Sequence, residues 1–293
     1  MKDIKISEER LTVIENIRRA VAEGDYFRKV SVGDPVVSAE DVERVIVPFD
    51  NRRLGIRARF RAFCARLLAE QLTTQFNKDT AIIGAENALG IKGGAIITSN
   101  HYNPTDSTPI RMLAYMCGKR KNLHIVIQET NVFMTGLFGY LMKNCNTHPV
   151  SGNTRYMVKN LKPALGEIIK DGSFVLIYPE QEMWFNYKKP RPLRDGAYHY
   201  AALFGVPVIP TFTEMVTQDG ERDADGFLPV KHILHVLPPI YPDSTLSVSE
   251  NRTAMAERDY AARCELYEKT YGIPLTSDFV PERDIAGLNV SIG

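Results

Sequence analysis

Two side chains five positions apart could together remove a proton from a hydroxyl group. His101 follows the apolar run Ala95–Thr98, which predicts a buried strand, and Asp106 lies where Asn103 and Pro104 indicate the start of a helix. An acid in a first helical turn can reach back to a histidine in the preceding loop and hold one ring nitrogen. The other nitrogen is then a base that can deprotonate a bound hydroxyl as this hydroxyl attacks a carbonyl.

The same two residues also have an interpretation without chemistry. Asp106 could complete a capping box and interact favourably with the helix dipole, while His101 could be an ordinary loop histidine. Their spacing alone does not choose between a general base and a helix cap.

A second group of polar residues follows another predicted strand, at residues 173–178. Pro179 and Glu180 come directly after this strand. A cationic cluster is next along the chain, and a basic run of this kind is most often a solvated loop. Its members are Lys188, Lys189, Arg191 and Arg194.

Taken together, these segments resemble the glycerophospholipid acyltransferase family, which includes the lysophosphatidic acid acyltransferases. The resemblance covers roughly residues 96–210, and three segments agree in order and spacing: Asn100-His101 with Asp106, Tyr178-Pro179-Glu180, and Val206-Pro207-Val208-Ile209-Pro210. It implies an O-acyltransferase similar to the 1-acylglycerol-3-phosphate O-acyltransferases. In this family the histidine is the general base, the aspartate orients it, and no acyl-enzyme forms, so these roles fall to His101 and Asp106.

The resemblance also implies residues that bind the acceptor. Glu180 would position the acceptor, and Arg155, close after Gly152, is a candidate for contact with its phosphate. The family continues its third signature with Gly-Thr-Arg, whereas this chain has Gln181-Glu182-Met183, so the acceptor stays open. Because arginine and lysine both bind phosphate, the cationic cluster at residues 188–194 could supply the charge that Met183 lacks.

The implied partners are an acyl thioester donor, either acyl-CoA or acyl-carrier protein, and a lysophospholipid acceptor similar to lysophosphatidic acid, with no cofactor and no metal. The altered third signature also permits a hydroxyl acceptor that is not a phospholipid. A metal-dependent hydrolase using His101, Asp106, Glu180 and His148 is a less favoured alternative, because the chain has no HExxH motif. An inactive module that binds a membrane surface is another, against which the intact His101 and Asp106 count.

The elements that must position these residues follow from the apolar pattern. After about Thr80, apolar runs alternate with helical segments, which predicts an α/β fold with a mostly parallel mixed sheet and helices on both faces. We expect an N-terminal helical region at residues 1–78 and the α/β acyltransferase domain at residues 79–293. Because function gathers at the carboxyl ends of parallel strands, folding should bring His101 and Glu180 together.

Bulk properties exclude several classes of protein. Hydrophobic residues make up 44% of the 293 residues, a fraction typical of folded globular proteins. The formal net charge is +1, so the protein has no overall positive electrostatic field that would attract nucleic acid. Four widely spaced cysteines form no zinc-finger or disulfide pattern. The N-terminal residues lack the apolar run of a signal peptide, and no apolar stretch is long enough to span a bilayer. We therefore expect a cytoplasmic protein, or one peripheral on the inner face of the membrane.

One segment could reach a lipid surface. The stretch of residues 52–76, which begins with Arg52 and ends with Phe76, mixes arginines with Leu, Ile and Phe. Such a composition is typical of a helix lying on an anionic membrane, but an amphipathic helix packed on the core, with its arginines in water, has the same composition.

Overall fold

A seven-stranded sheet forms the centre of the computed structural model, which describes residues 6–33, 35–49, 53, 55–119 and 122–289. Its strands within this part of the chain are β1 (Ala81–Ile83), β2 (Ala95–Thr98), β3 (Leu123–Gln128), β4 (Thr147–Val150), β5 (Phe174–Ile177), β6 (Val208–Thr217) and β7 (Val230–Val236). Their order is β1-β7-β6-β2-β5-β3-β4. Every neighbouring pair is parallel except β6 and β7, so the sheet is mixed and mostly parallel, as the sequence predicts.

Helices surround this sheet. Those that the structure describes are α1 (Glu8–Ala22), α2 (Ala39–Asp41), α3 (Ile56–Phe76), α4 (Glu86–Leu89), α5 (Ser107–Met116), α6 (Gly136–Asn144), α7 (Thr154–Tyr156), α8 (Lys162–Lys170), α9 (Gly196–Phe204), α10 (Val248–Tyr271) and α11 (Pro281–Asp284). All four residues of the central strand β2 are buried, and side chains of a strand point alternately to its two faces. Both faces of the sheet are therefore covered at its centre, and the α/β prediction is confirmed.

The N-terminal helix packs against the C-terminal part of the chain. Ser7 caps α1 by accepting a hydrogen bond from the backbone N–H of Arg10, as its position before the apolar repeat predicts. The buried face of α1 joins a hydrophobic cluster that includes Trp184, Phe227 and Leu288. The boundary after residue 78 stays a prediction.

One strand was not predicted, and two other local predictions differ from the structure. The strand β1 was not predicted, because three residues give too short an apolar run to recognise. The apolar run at residues 206–209 predicts a short strand, whereas β6 runs from Val208 to Thr217 and pairs with β7 over residues 211–217. The helix predicted from Pro104 begins at Ser107, because Asn103 accepts hydrogen bonds from the N–H and hydroxyl of Thr105 and closes a turn before the helix.

Helix α3 lies next to the segment that carries His101. Its inner face includes Ala65, Ala69 and Thr73, and the first two pack against Leu141 of α6. At its end, the side-chain amide of Asn77 donates a 2.7 Å hydrogen bond to the hydroxyl of Thr108. Arg52, where the predicted lipid-binding stretch begins, lies outside the described residues, whereas residues 56–76 of that stretch form α3.

Within the described residues, no helix combines the length and apolar composition needed to cross a lipid bilayer.

Candidate active site

The structure brings His101 and Asp106 into direct contact. Nδ1 of His101 lies 2.6 Å from Oδ2 of Asp106, and the same oxygen accepts a 3.1 Å hydrogen bond from the backbone N–H of Tyr102. The Asp106 side chain is 4% exposed, whereas that of His101 keeps 22% of its surface in contact with solvent. With Nδ1 donating to the carboxylate, Nε2 carries the free lone pair of the neutral ring. The pair is therefore an accessible base held by a buried acid.

Glu180 lies beneath this pair. Its Oε2 accepts a 3.2 Å hydrogen bond from the backbone N–H of His101, which links the carboxyl ends of the neighbouring strands β2 and β5. Arg191 donates to the same Oε2 at 3.0 Å, and the two side chains are 3% and 1% exposed. Glu180 therefore fixes the backbone of the histidine loop and is itself held by a buried arginine.

Arg191 connects several segments to this carboxylate. Its guanidinium also donates to the carbonyl oxygens of Tyr26 and Glu182, and it lies 4.5 Å from the centre of the Trp184 ring. Trp184 in turn donates its backbone N–H to the carbonyl of His101 at 3.0 Å. The segment after Glu180 therefore folds back along the histidine loop.

The turn that carries Glu180 keeps a backbone conformation suited to glycine. Gln181 has a φ of 63°, in the left-handed region that side chains other than glycine rarely adopt. It stands at the position where the family's third signature has glycine. The backbone N–H of Gln181 donates to the carbonyl of Tyr178 at 3.0 Å, and that of Glu182 donates to the carbonyl of Glu180 at 2.8 Å. The sequence of the signature has changed here, while a sharp turn remains.

Of the four residues in the cationic cluster, Lys189 and Arg191 are buried and form ion pairs with acidic side chains. Besides Arg191, the Lys189 ammonium is 2% exposed, lies 3.0 Å from Asp284 and donates to the carbonyl of Asp278 at 2.6 Å. A basic run in the sequence therefore need not be a solvated loop, because Glu180 neutralises the charge of Arg191 and the distant Asp284 neutralises that of Lys189.

The other predicted cations are more accessible. The Arg194 guanidinium is exposed and stacks on Phe27 at 3.7 Å from the ring centre. Lys188 is half-buried over the Tyr271 ring, and this burial lowers the pKa of its ammonium. Arg155 is exposed and follows β4, which is separated from β2 by β5 and β3 in the sheet. The structure therefore does not gather all the predicted substrate-binding residues beside His101.

Tyr178 is a member of the site to which the sequence analysis gave no role. Its hydroxyl donates a 2.7 Å hydrogen bond to Oδ1 of Asp106, and its ring stacks on the His101 ring with 4.2 Å between centres. Burial, assisted by the charge of Asp106, raises the pKa of Tyr178 well above its ordinary value, so the hydroxyl stays a donor. The available signal was its place directly after a predicted strand, next to Pro179 and Glu180.

Asn100 anchors the histidine loop on its other side. Its side chain makes hydrogen bonds of 2.8 and 3.1 Å with the N–H and carbonyl of Thr213 on β6. The end of β2 is thus fixed both to β6 and, through Glu180, to β5.

An apolar pocket opens beside the loop, where α3 and α6 meet the first turn of α5. Its walls include Pro104 and Thr105 on the loop side, and the helices contribute Leu72, Phe76, Phe138, Leu141 and Met142. A pocket with walls of this composition accommodates an aliphatic chain better than a polar group.

Among the residues that the structure describes, no group of three or more His, Cys, Asp or Glu side chains could hold a metal ion. His148 pairs instead with His124 across β3 and β4, with Nε2 of His148 2.9 Å from Nδ1 of His124.

The chain is similar in sequence to known acyltransferases. The family model described as Acyltransferase matches residues 74–214, a range that contains the site residues from Asn100 to Thr213. The chain is 28% identical over 208 residues to the 1-acyl-sn-glycerol-3-phosphate acyltransferase BAT2, chloroplastic, of Brassica napus. That match covers 69% of this chain and 56% of the relative, so the chain spans little more than half of the relative's length.

Among solved structures, the chain is similar to the 1-acyl-sn-glycerophosphate (LPA) acyltransferase PlsC from Thermotoga maritima. The TM-score is 0.49 at 18% sequence identity, and the match covers 86% of this chain and 97% of the PlsC chain.

Proposed function

Because residues 74–214 match the family model described as Acyltransferase, we propose that the protein transfers a fatty acyl group from acyl-CoA or acyl-carrier protein to a hydroxyl of a lysophospholipid similar to lysophosphatidic acid. The observation that carries this proposal is the 2.6 Å contact between Nδ1 of His101 and the buried Asp106 carboxylate, with the His101 side chain 22% exposed to solvent. A helix cap alone would need no histidine at this position.

The chemistry needs no covalent intermediate on the protein. Nε2 of His101 accepts the proton of the acceptor hydroxyl while the hydroxyl oxygen forms a bond to the thioester carbonyl carbon. Asp106 stays ionised and stabilises the imidazolium through Nδ1, as the acid of a catalytic triad does. When the tetrahedral intermediate collapses, its carbon–sulfur bond breaks and the imidazolium returns the proton to the thiolate. The products are an ester and a free thiol.

The apolar pocket is the proposed site of the donor's acyl chain. Pro104 and Thr105 line it and lie in the same loop as His101, so a chain in the pocket would begin close to the base. The proposal agrees with the apolar residues Phe138 and Leu141 of α6, which also line this pocket.

The acceptor could be a lysophospholipid with a phosphate monoester or a hydroxyl compound without one. Lys189 and Arg191 are held by Asp284 and Glu180, so neither ammonium nor guanidinium is free to bind a phosphate without breaking a buried ion pair. This favours, as an alternative, a hydroxyl acceptor without a phosphate monoester. If phosphate is bound, the exposed Arg194, the half-buried Lys188 and the exposed Arg155 are the remaining candidates among the predicted residues.

The proposed site of lipid contact is the outer face of α3. Ile56, Phe60, Phe63 and Leu67 are 85%, 67%, 51% and 45% exposed, and their spacing places them on one face of the helix, opposite Ala65 and Ala69. Arginines lie on either side of this apolar face: Arg57 and Arg61 on one, Arg59 and Arg66 on the other. An apolar strip bordered by cations fits the interface of an anionic bilayer, with the strip among acyl chains and the arginines at the head groups. The inner face of α3 nevertheless packs on the core, so the helix uses both of its faces.

The test is an acyl-transfer assay with a panel of acyl-CoAs and lysolipids, read by mass spectrometry. His101→Ala should lower turnover by roughly 10²–10⁴-fold, which general base catalysis typically contributes. Asp106→Asn should also lose activity, because the neutral amide oxygen is a weaker acceptor for the hydrogen bond from Nδ1–H and does not stabilise the imidazolium by charge. His199→Ala, on helix α9, removes a histidine outside the site and should keep full turnover.

Folding of each variant is checked by circular dichroism. Near-normal turnover in a folded His101→Ala protein would end the proposed mechanism. Comparing phosphorylated and dephosphorylated acceptors in the unchanged protein decides the head group, because equal KM values would favour the acceptor without phosphate.

A further inference from the structure

Three hydrogen bonds hold the Asp106 carboxylate, and one of them comes from a side chain outside the His101–Asp106 pair. Oδ2 accepts from His101 and from the Tyr102 backbone, at 2.6 and 3.1 Å. Oδ1 accepts from the Tyr178 hydroxyl at 2.7 Å. The carboxylate plane cannot rotate without losing at least one of these bonds, so Tyr178 fixes the oxygen that His101 does not use.

The same tyrosine also packs on the base. Its ring lies 4.2 Å from the His101 ring, centre to centre, with 19° between the planes. Tyr178 directly follows β5, whose last residue is paired in register with the last residue of β2, Thr98, so the sheet places it beside the histidine loop. One side chain therefore restrains two members of the site, the acid through its hydroxyl and the base through its ring.

We propose that Tyr178 is a positioning residue for the acyl transfer, with its hydroxyl orienting Asp106 and its ring fixing the plane of the His101 imidazole. This inference rests on the proposed function of His101 as the base. It assigns a role to the hydroxyl, which a phenylalanine at this position would not supply.

The hydrogen bond has an electronic consequence besides its geometric one. A carboxylate that accepts a hydrogen bond from a tyrosine is a weaker partner for an imidazolium than one with a free oxygen. Removing the hydroxyl therefore strengthens the attraction between Asp106 and protonated His101, and the base stays protonated up to a higher pH. The acid limb of kcat/KM, which reports the free enzyme, should move to higher pH.

The experiment compares Tyr178→Phe with the unchanged protein in the acyl-transfer assay across pH. We expect kcat to fall roughly 10-fold, a part of the 10²–10⁴-fold that base catalysis contributes as a whole, while KM stays unchanged. The acid limb should move to higher pH. Replacing Tyr178 with 3-fluorotyrosine, a stronger hydrogen-bond donor of nearly the same shape, should move the limb to lower pH.

Tyr198→Phe is the matched control. Tyr198 also donates to a buried carboxylate, at 2.6 Å to Asp259, whose other partners are Thr98 and Arg263 rather than His101 or Asp106. This variant loses an equivalent buried hydrogen bond, so it should lose comparable stability and keep the original pH profile. A limb that moves equally in both variants would show general loosening and overturn the proposal.

A second comparison uses Asp106→Asn as the background. If Tyr178 acts through the carboxylate, adding Tyr178→Phe to Asp106→Asn should change the pH profile no further. An unchanged kcat and acid limb in Tyr178→Phe, together with an inactive His101→Ala, would sink the role of Tyr178 and leave the proposed function standing. An active, folded His101→Ala would remove the proposed function itself.

Discussion

Removing the Arg191 guanidinium should destabilise the protein more than removing any exposed cation nearby. In Arg191→Met the aliphatic stem is largely kept, while Glu180 loses the partner that donates to its Oε2 at 3.0 Å. The Glu180 side chain is 3% exposed, so its carboxylate cannot turn to water when the partner is lost. The variant therefore measures mainly the cost of leaving a buried carboxylate without its charged partner, while the backbone N–H groups of His101 and Arg191 still donate to it.

The magnitude follows from burial. Breaking a buried ion pair on one side typically costs about 3–5 kcal/mol, because the remaining charge stays without solvent. The carbonyls of Tyr26 and Glu182 also lose their donor, which places Arg191→Met toward the upper end of that range. A native domain has about 5–15 kcal/mol of stability, so the loss is large but need not prevent folding.

The assay is urea unfolding followed by tryptophan fluorescence. The chain has one tryptophan, Trp184, and its ring lies 4.5 Å from the Arg191 guanidinium, so the probe reports the region that is changed. Arg194→Met makes the same substitution three positions later, on an exposed side chain, and should cost less than about 1 kcal/mol. The double variant Glu180→Gln with Arg191→Met should recover part of the loss, because the amide carries no charge.

Two results would refute this reasoning. A loss below about 1 kcal/mol in Arg191→Met would mean that the carboxylate finds water or another donor. A double variant no more stable than Arg191→Met alone would mean that the charge of Glu180 is not the source of the cost.

Two further outcomes concern pH and lipid. Burial, together with the charge of Arg53, lowers the pKa of His124 to about 4, and burial lowers that of His148 to about 3. Below about pH 6.5 the unfolded chain therefore binds protons that the folded chain does not, and stability should fall by about 2 kcal/mol per histidine between pH 7 and 5. His148→Gln should make the urea midpoint less dependent on pH, and an equal dependence would contradict the assignment. For lipid, the protein should co-sediment with anionic but not neutral vesicles, less so at high salt. Replacing Arg57, Arg59 and Arg61 with Gln should weaken this co-sedimentation, whereas replacing the partly exposed Arg18 and the exposed Arg19 of α1 with Gln should not. A protein that never pellets at low salt would rule out the lipid contact.

The fold was predictable where local pattern and tertiary structure agree. The sequence predicts a helix at about residues 196–204, which are the bounds of α9, because an apolar segment between Gly196 and the left-handed Gly205 has a clear start and end. Strand β6 was predicted too short, since residues 211–217 are stabilised by pairing with β7 and their sequence does not show that partner. Strand β1 likewise depends on β7, which lies about 150 positions further along the chain.

In the candidate site, the contact between His101 and Asp106 was predictable from the sequence, whereas the partners of the buried cations were not. His101 and Asp106 are five positions apart, so local geometry could suggest their contact. Lys189, Arg191 and Arg194 belong to the same basic run in the sequence. The first two are buried in ion pairs with acidic side chains, whereas Arg194 is exposed. Charge and spacing do not reveal this difference, because the partner of Lys189 lies 95 positions away, at Asp284.

In the third signature, Gln181 stands where the family has glycine, and its backbone conformation is one that favours glycine. Gln181 occupies the left-handed region at a φ of 63°, a conformation that costs a residue with a side chain roughly 1 kcal/mol or more relative to glycine. The strain persists because the turn is fixed on both sides: the Tyr178 hydroxyl holds Asp106, and Glu180 holds both the His101 backbone and Arg191. Releasing Gln181 from that conformation would displace both neighbours of the histidine. Tyr178 and Glu180 therefore hold the residues around His101 although the turn between them and Arg191 carries Gln181 in place of glycine.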